Sequence, residues 1–142
     1  IERVVPVWPN ATMGGRVAGL NMAGRSATYV GATGMNALSY FGLSVVAAGV
    51  QEPGPEPGYE VLTSLSDDRT RYRKVVLRDG VVVGLTFVGE IEPAGIVFGL
   101  MRDRVDVSSF KDELVAPGLS MGGLPAALRR ERMGVPIDLL AG

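Results

Sequence analysis

Residues 8–24, WPNATMGGRVAGLNMAG, and the following stretch 29–49, YVGATGMNALSYFGLSVVAAG, decide how the chain divides. The first stretch reads as a helix. Pro9 suits a first turn, where its missing N–H would be unbonded in any case. Asn10 is a strong N-cap type, and Gly24 is a natural stop. Gly14, Gly15, Ala18, Gly19 and Ala23 lie between them. An interior glycine costs a helix roughly 1 kcal/mol relative to alanine. Several together imply a helix face that lies close against something.

Working outward, residues 43–48 form a short β-branched run between Gly42 and Gly49, which predicts a buried strand. The segment 51–58, QEPGPEPG, can only be a loop. Residues 59–66 alternate as a strand, Asp67-Asp68 makes a turn, and residues 70–78 form a further strand. Asp79-Gly80 is a strong two-residue hairpin signal, because a type I′ turn needs φ > 0 at both central positions. Residues 81–88 are almost continuously apolar, which predicts a strand buried on both faces. After Pro93 the period changes. Ile96, Val97, Leu100, Met101 and Val105 form the apolar stripe of a helix over 93–105. A shorter helix is expected from Ser109, capped by Ser108 or Ser109, and another over 126–132, with Gly134 and Pro136 as stops. The apolar tail PIDLLAG is expected to pack on a neighbour or hang free. This order gives an α+β fold, an antiparallel sheet with a hairpin packed by two or three helices.

Composition bounds the chemistry. The chain has 142 residues, 46% hydrophobic and 20% charged, with net charge −1. These values describe a globular chain with a substantial core, neither disordered nor membrane-spanning. It has no cysteine and no histidine. That excludes disulfides, thiolate metal sites and imidazole general bases, and permits a cytoplasmic address. The basic run Arg69, Arg71, Arg73, Lys74, Arg78 would place Arg69, Arg71 and Arg73 on one strand face. The stripe is either a solvated sheet face or a docking surface for an acidic electron-carrier protein. The overall charge argues against nucleic acid.

Pro9-Asn10-Ala11, Gly15-Arg16-Val17-Ala18-Gly19, Asn21-Met22-Ala23-Gly24, Tyr29-Val30-Gly31 and Met35-Asn36-Ala37-Leu38 together resemble the pyridine nucleotide-disulfide oxidoreductases, in the branch of NADH-rubredoxin reductases and NADH oxidases. The resemblance implies that residues 1–28 are the tail of an FAD-binding domain, ending in its last helix. Residues 29–142 would then be a C-terminal α+β domain of interface type. It further implies that Trp8, Pro9, Asn10 and Ala11 contact the flavin at the positive end of that helix. The family's Gly-x-Gly-x-x-Gly turn is absent, and Gly14–Gly19 has the wrong spacing for it. The expectation is therefore a C-terminal piece of a flavin-dependent NAD(P)H:acceptor oxidoreductase. It would hold FAD only as part of the whole and carry no catalytic residue and no metal of its own. Its partners would be the FAD and NAD domains of the same enzyme, a second subunit in a homodimer, and an electron carrier, but neither nucleic acid nor membrane. The other open class is a stand-alone binding or dimerisation module without redox activity.

The remaining polar residues read blandly. Arg16 is a solvated or interdomain salt-bridging residue. Asn36 either satisfies backbone groups at the domain junction or frames the flavin pocket. Asp67 and Asp68 suit an Asx turn better than a metal site. Glu90 and Glu92 are a weak catalytic pair, and Arg129, Arg130 and Arg132 a solvated helix face.

Overall fold

A computed structural model describes residues 7–29, 31–32 and 34–133. Helix α1 (Trp8–Met22) precedes two strands, β1 (Met35–Tyr40) and β2 (Leu43–Gly49). After the Pro/Gly loop come β3 (Tyr59–Leu65), β4 (Tyr72–Arg78) and β5 (Val81–Val88), then α2 (Ala94–Arg102) and α3 (Ala126–Met133). Two short 3-10 helices, Lys111–Leu114 and Met121–Gly123, lie between α2 and α3. The strands make one antiparallel sheet in the order β1-β2-β5-β4-β3. The expected α+β architecture holds, with β3, β4 and β5 as a meander extended by the β1–β2 hairpin.

The central strand is β5, as its apolar run requires. Val82, Leu85 and Phe87 are buried, and the Asp79–Gly80 turn has positive φ at both residues, 52 and 77. The core lies on one face of the sheet. There Val46, Ala48, Val75, Leu77, Leu85 and Phe87 meet Ala94, Val97 and Leu100 of α2. Val107, Phe110, Leu114, Leu119 and Leu124 from the 3-10 segment close the same core. Of the predicted stripe, Val97 and Leu100 are fully buried, while Ile96, Met101 and Val105 pack at the margin. The helix ends three residues earlier than its apolar pattern, with Asp103 as C-cap. Beyond it the shorter helix is a 3-10 turn with Phe110 at its N-cap and no side-chain cap. Ser108 instead donates its N–H to Asp106 at 2.9 Å, a local Asx turn that competes with helix.

The opposite face is crossed by the Pro/Gly loop, which must pass β5 and β4 to reach β3. Gln51 anchors it. Its amide donates to the Ala48 carbonyl at 2.8 Å and to the Leu85 carbonyl at 3.2 Å, and its oxygen accepts from the Thr86 hydroxyl. Glu52 meets Lys74 at 3.0 Å and Glu56 meets Arg78 at 3.9 Å. The loop starts from an interlock that only glycine permits. The register between β4 and β5 slips at Val76/Leu77, leaving Val83 as the extra residue of a bulge. Its carbonyl accepts from the Val50 N–H at 2.8 Å. A Cβ on Gly84 would lie 1.8 Å from the Val50 carbonyl oxygen, and one on Gly49 2.1 Å from that of Val83. The backbones therefore approach where no side chain fits.

Candidate functional site

The predicted site is the first turn of α1. Val7, extended at φ −120, is the N-cap, so Trp8, Pro9 and Asn10 occupy the first three helical positions. Asn10 is thus not the cap that its residue type suggested. Pro9 fits the first turn as expected, and a proline there tolerates a cap two residues ahead of it. The first intrahelical bond runs from the Ala11 N–H to the Val7 carbonyl at 3.1 Å. The first turn holds no acidic residue, and no side chain caps it among the described residues. Trp8 is 85% exposed, Asn10 is buried and Ala11 is exposed.

The far end of α1 is well defined. Arg25 N–H returns to the Leu20 carbonyl at 2.9 Å and Gly24 N–H to that of Asn21 at 3.0 Å, around Gly24 at φ 77. This is a Schellman stop. The Asn21 side chain then pins the exit, accepting from the Ala27 N–H at 2.8 Å and donating to the Ala27 carbonyl at 2.9 Å. The glycine-rich side of α1 stays open: a Cβ on Gly14, Gly15 or Gly19 would meet nothing within 4 Å. Met13 and Met22 are exposed, whereas Val17 and Leu20 are half-buried. Arg16 is exposed, as is Asn36 on β1.

A second concave region, of about 260 Å³, is lined by Ser64, Ser66, Asp67, Arg71, Arg73 and Glu90 with Leu65, Val115 and Pro117. It corrects the reading of the basic stripe. Arg69 sits in the turn before β4 at φ 55, off the strand altogether. The Arg71 side chain is half-exposed, while that of Arg73 is 5% exposed. Arg73 lies opposite Phe87 in the register, on the core side of the sheet. Its guanidinium stacks 5.5 Å from the Phe87 centroid, meets Glu90 at 3.0 Å and donates to the Ala116 carbonyl. It therefore ties the 3-10 segment to the sheet. Glu90 is spent on that pair and Glu92 is exposed, so the two do not converge as an acid–base couple.

The turn before β4 behaves as its residues suggest. Asp68 accepts from the Ser66 hydroxyl at 2.5 Å and from the Thr70 N–H at 3.1 Å. These bonds hold its carboxyl well below the usual range, at about 2. The Ser108 hydroxyl and N–H lower Asp106 in the same way, and Glu60 at 2.5 Å raises Lys111. No cluster of His, Cys, Asp or Glu among the described residues could hold a metal ion. No helix among them is long and apolar enough to cross a membrane. Arg129 is half-buried on α3, and residues 134–142, with the expected stops Gly134 and Pro136, lie outside the described residues.

Sequence reasoning missed the Arg73–Glu90–Ala116 clamp and the anchoring by Gln51 and Asn21. The only local signal was a polar residue directly following an apolar strand, as at Gln51, or opening a Schellman stop, as at Asn21.

The geometry defines a class: an α+β domain whose sheet is backed by helices on one face, preceded in sequence by a glycine-rich helix. The sequence matches the Rubredoxin NAD+ reductase C-terminal domain family over residues 35–105, half of the chain, and the protein belongs to that family. The matched segment runs from the start of β1 to just past α2. One similar protein is the NADH-dependent phenylglyoxylate dehydrogenase subunit epsilon of Aromatoleum evansii, 34% identical over 119 residues. That match covers 82% of this chain and 28% of the relative. In fold, the chain is similar to the crystal structure of NADH:rubredoxin oxidoreductase from Clostridium acetobutylicum, with TM-score 0.51 and 19% identity. There the match covers 72% of this chain and 26% of the other. The chain thus spans little more than a quarter of either protein's length.

Proposed function

We propose that this chain is the C-terminal part of a flavin-dependent NAD(P)H:acceptor oxidoreductase. Residues 1–28 complete its FAD-binding domain, and residues 29–142 supply an interdomain or subunit surface. The observation that carries the reading is α1 itself. Its N-cap residue, Val7, supplies no side-chain cap, its first turn holds no acidic residue, it stands before the family domain, and its glycine-rich side is open among the described residues. In this reading Trp8, Pro9, Asn10 and Ala11 border the flavin, with FAD as cofactor and NAD(P)H as substrate of the whole protein.

The residues present fit such a group. The chemistry that a bound flavin supplies is hydride acceptance from nicotinamide and release of electrons to an acceptor. This chain's contribution is positional. The helix dipole and first-turn N–H groups favour an electron-rich ring edge, and the Trp8 side chain offers an exposed aromatic face beside it. The open side of α1 lets a neighbouring backbone approach closely. Among the described residues nothing forms a dinucleotide-binding turn, so the chain acts with the rest of its enzyme. The subunit name of the Aromatoleum relative supports a place in a larger assembly. A carrier protein as electron acceptor fits the family name, and Arg69, Arg71 and Arg78 of the basic run remain exposed to attract it.

Ala11→Asp in the complete polypeptide tests the placement. A carboxylate near a helix N-terminus interacts by roughly 0.3–1 kcal/mol. It would disfavour the reduced flavin and lower the two-electron midpoint potential by on the order of 10–20 mV. An unchanged potential in a fully flavinylated sample would remove α1 from the flavin site. Separately, the 142-residue chain incubated with FAD and then freed of unbound cofactor by gel filtration is expected to be colourless. A stoichiometric yellow complex would show a complete flavin site and overturn the division of labour proposed here.

A further inference from the structure

We draw no further inference here: the strongest candidate, the concave region of about 260 Å³ between the β3–β4 turn and the 3-10 segment, sets Arg71 and Arg73 against Asp67 and Glu90 so that its charges cancel, and with Arg73 already spent on Glu90 and the Ala116 carbonyl nothing in the structure shows what it would bind.

Discussion

Replacing Arg73 by alanine should destabilise the chain severely, although the residue reads in sequence as one member of a solvated basic run. The guanidinium makes three contacts in the structure, and each responds differently to truncation. The Ala116 carbonyl, half-buried, loses its donor. Leaving such a group unsatisfied costs about 1–3 kcal/mol. The Phe87 ring loses a cation at 5.5 Å, worth about 0.5–2 kcal/mol when desolvated. The Glu90 carboxylate, whose side chain is 35% exposed, can turn to water, so the ion pair itself adds about 1 kcal/mol or less. Together these give roughly 2–4 kcal/mol, near the lower part of the range for breaking a buried pair. For a domain of this size that is a fall in Tm of roughly 5–15 °C.

Urea unfolding followed by circular dichroism measures the loss. Two further variants make the assignment specific. Arg71→Ala removes a neighbouring arginine that is half-exposed and 3.9 Å from the same carboxylate, and should change stability by less than about 0.5 kcal/mol. Arg73→Lys keeps the charge but loses the planar fork, so it should fall between wild type and Arg73→Ala. If Arg73→Ala and Arg71→Ala prove equal within error, the guanidinium is not the tie between sheet and 3-10 segment, and the argument from its burial fails.

Other expectations rest on separate parts of the fold. Leu100→Ala should cost roughly 2–5 kcal/mol in the same urea assay, since Leu100 is fully buried between α2 and β5. Gly84→Ala should cost at least about 1–3 kcal/mol, because its Cβ would stand 1.8 Å from a backbone oxygen that can move only with the bulge. Asp68 has a depressed folded-state value of about 2, so its contribution is fully present above its unfolded value and is lost as pH falls through about 2. Asp68→Asn should therefore lower Tm at neutral pH and leave it nearly unchanged at the acid end of that window. Hydrogen exchange should find the slowest amides in β4 and β5, and amides of the 51–58 loop exchanging faster.

Local chemistry was legible where it is sufficient. Asp79-Gly80 encodes its turn because few other pairs accept φ > 0 twice, and the structure places that turn where the sequence did. The meander, the α2 stripe and the Schellman stop at Gly24 are of the same kind, each settled within a few residues. What stayed illegible depends on partners distant in sequence. Arg73 finds Glu90 17 residues on and Ala116 43 residues on, so nothing around it announces burial. Alternation alone had already put Arg73 on one face with Arg71. It could not say that this face is core at one position and solvent two residues earlier, because that boundary is drawn by the 3-10 segment folding back. The same limit applies to β2. Its pairing with β5 across 43 to 35 residues, Val45 with Val88 and Gly49 with Gly84 marking the ends, is fixed by the Val83 bulge and two glycines. Each looks like an ordinary strand residue until the two backbones are brought together. The first turn of α1, proposed above to border a flavin, is the extreme case, since that role would rest on contacts that the described residues do not contain. There the described residues give a first turn without acidic side chains, and only the proposed reading names the group that it would meet.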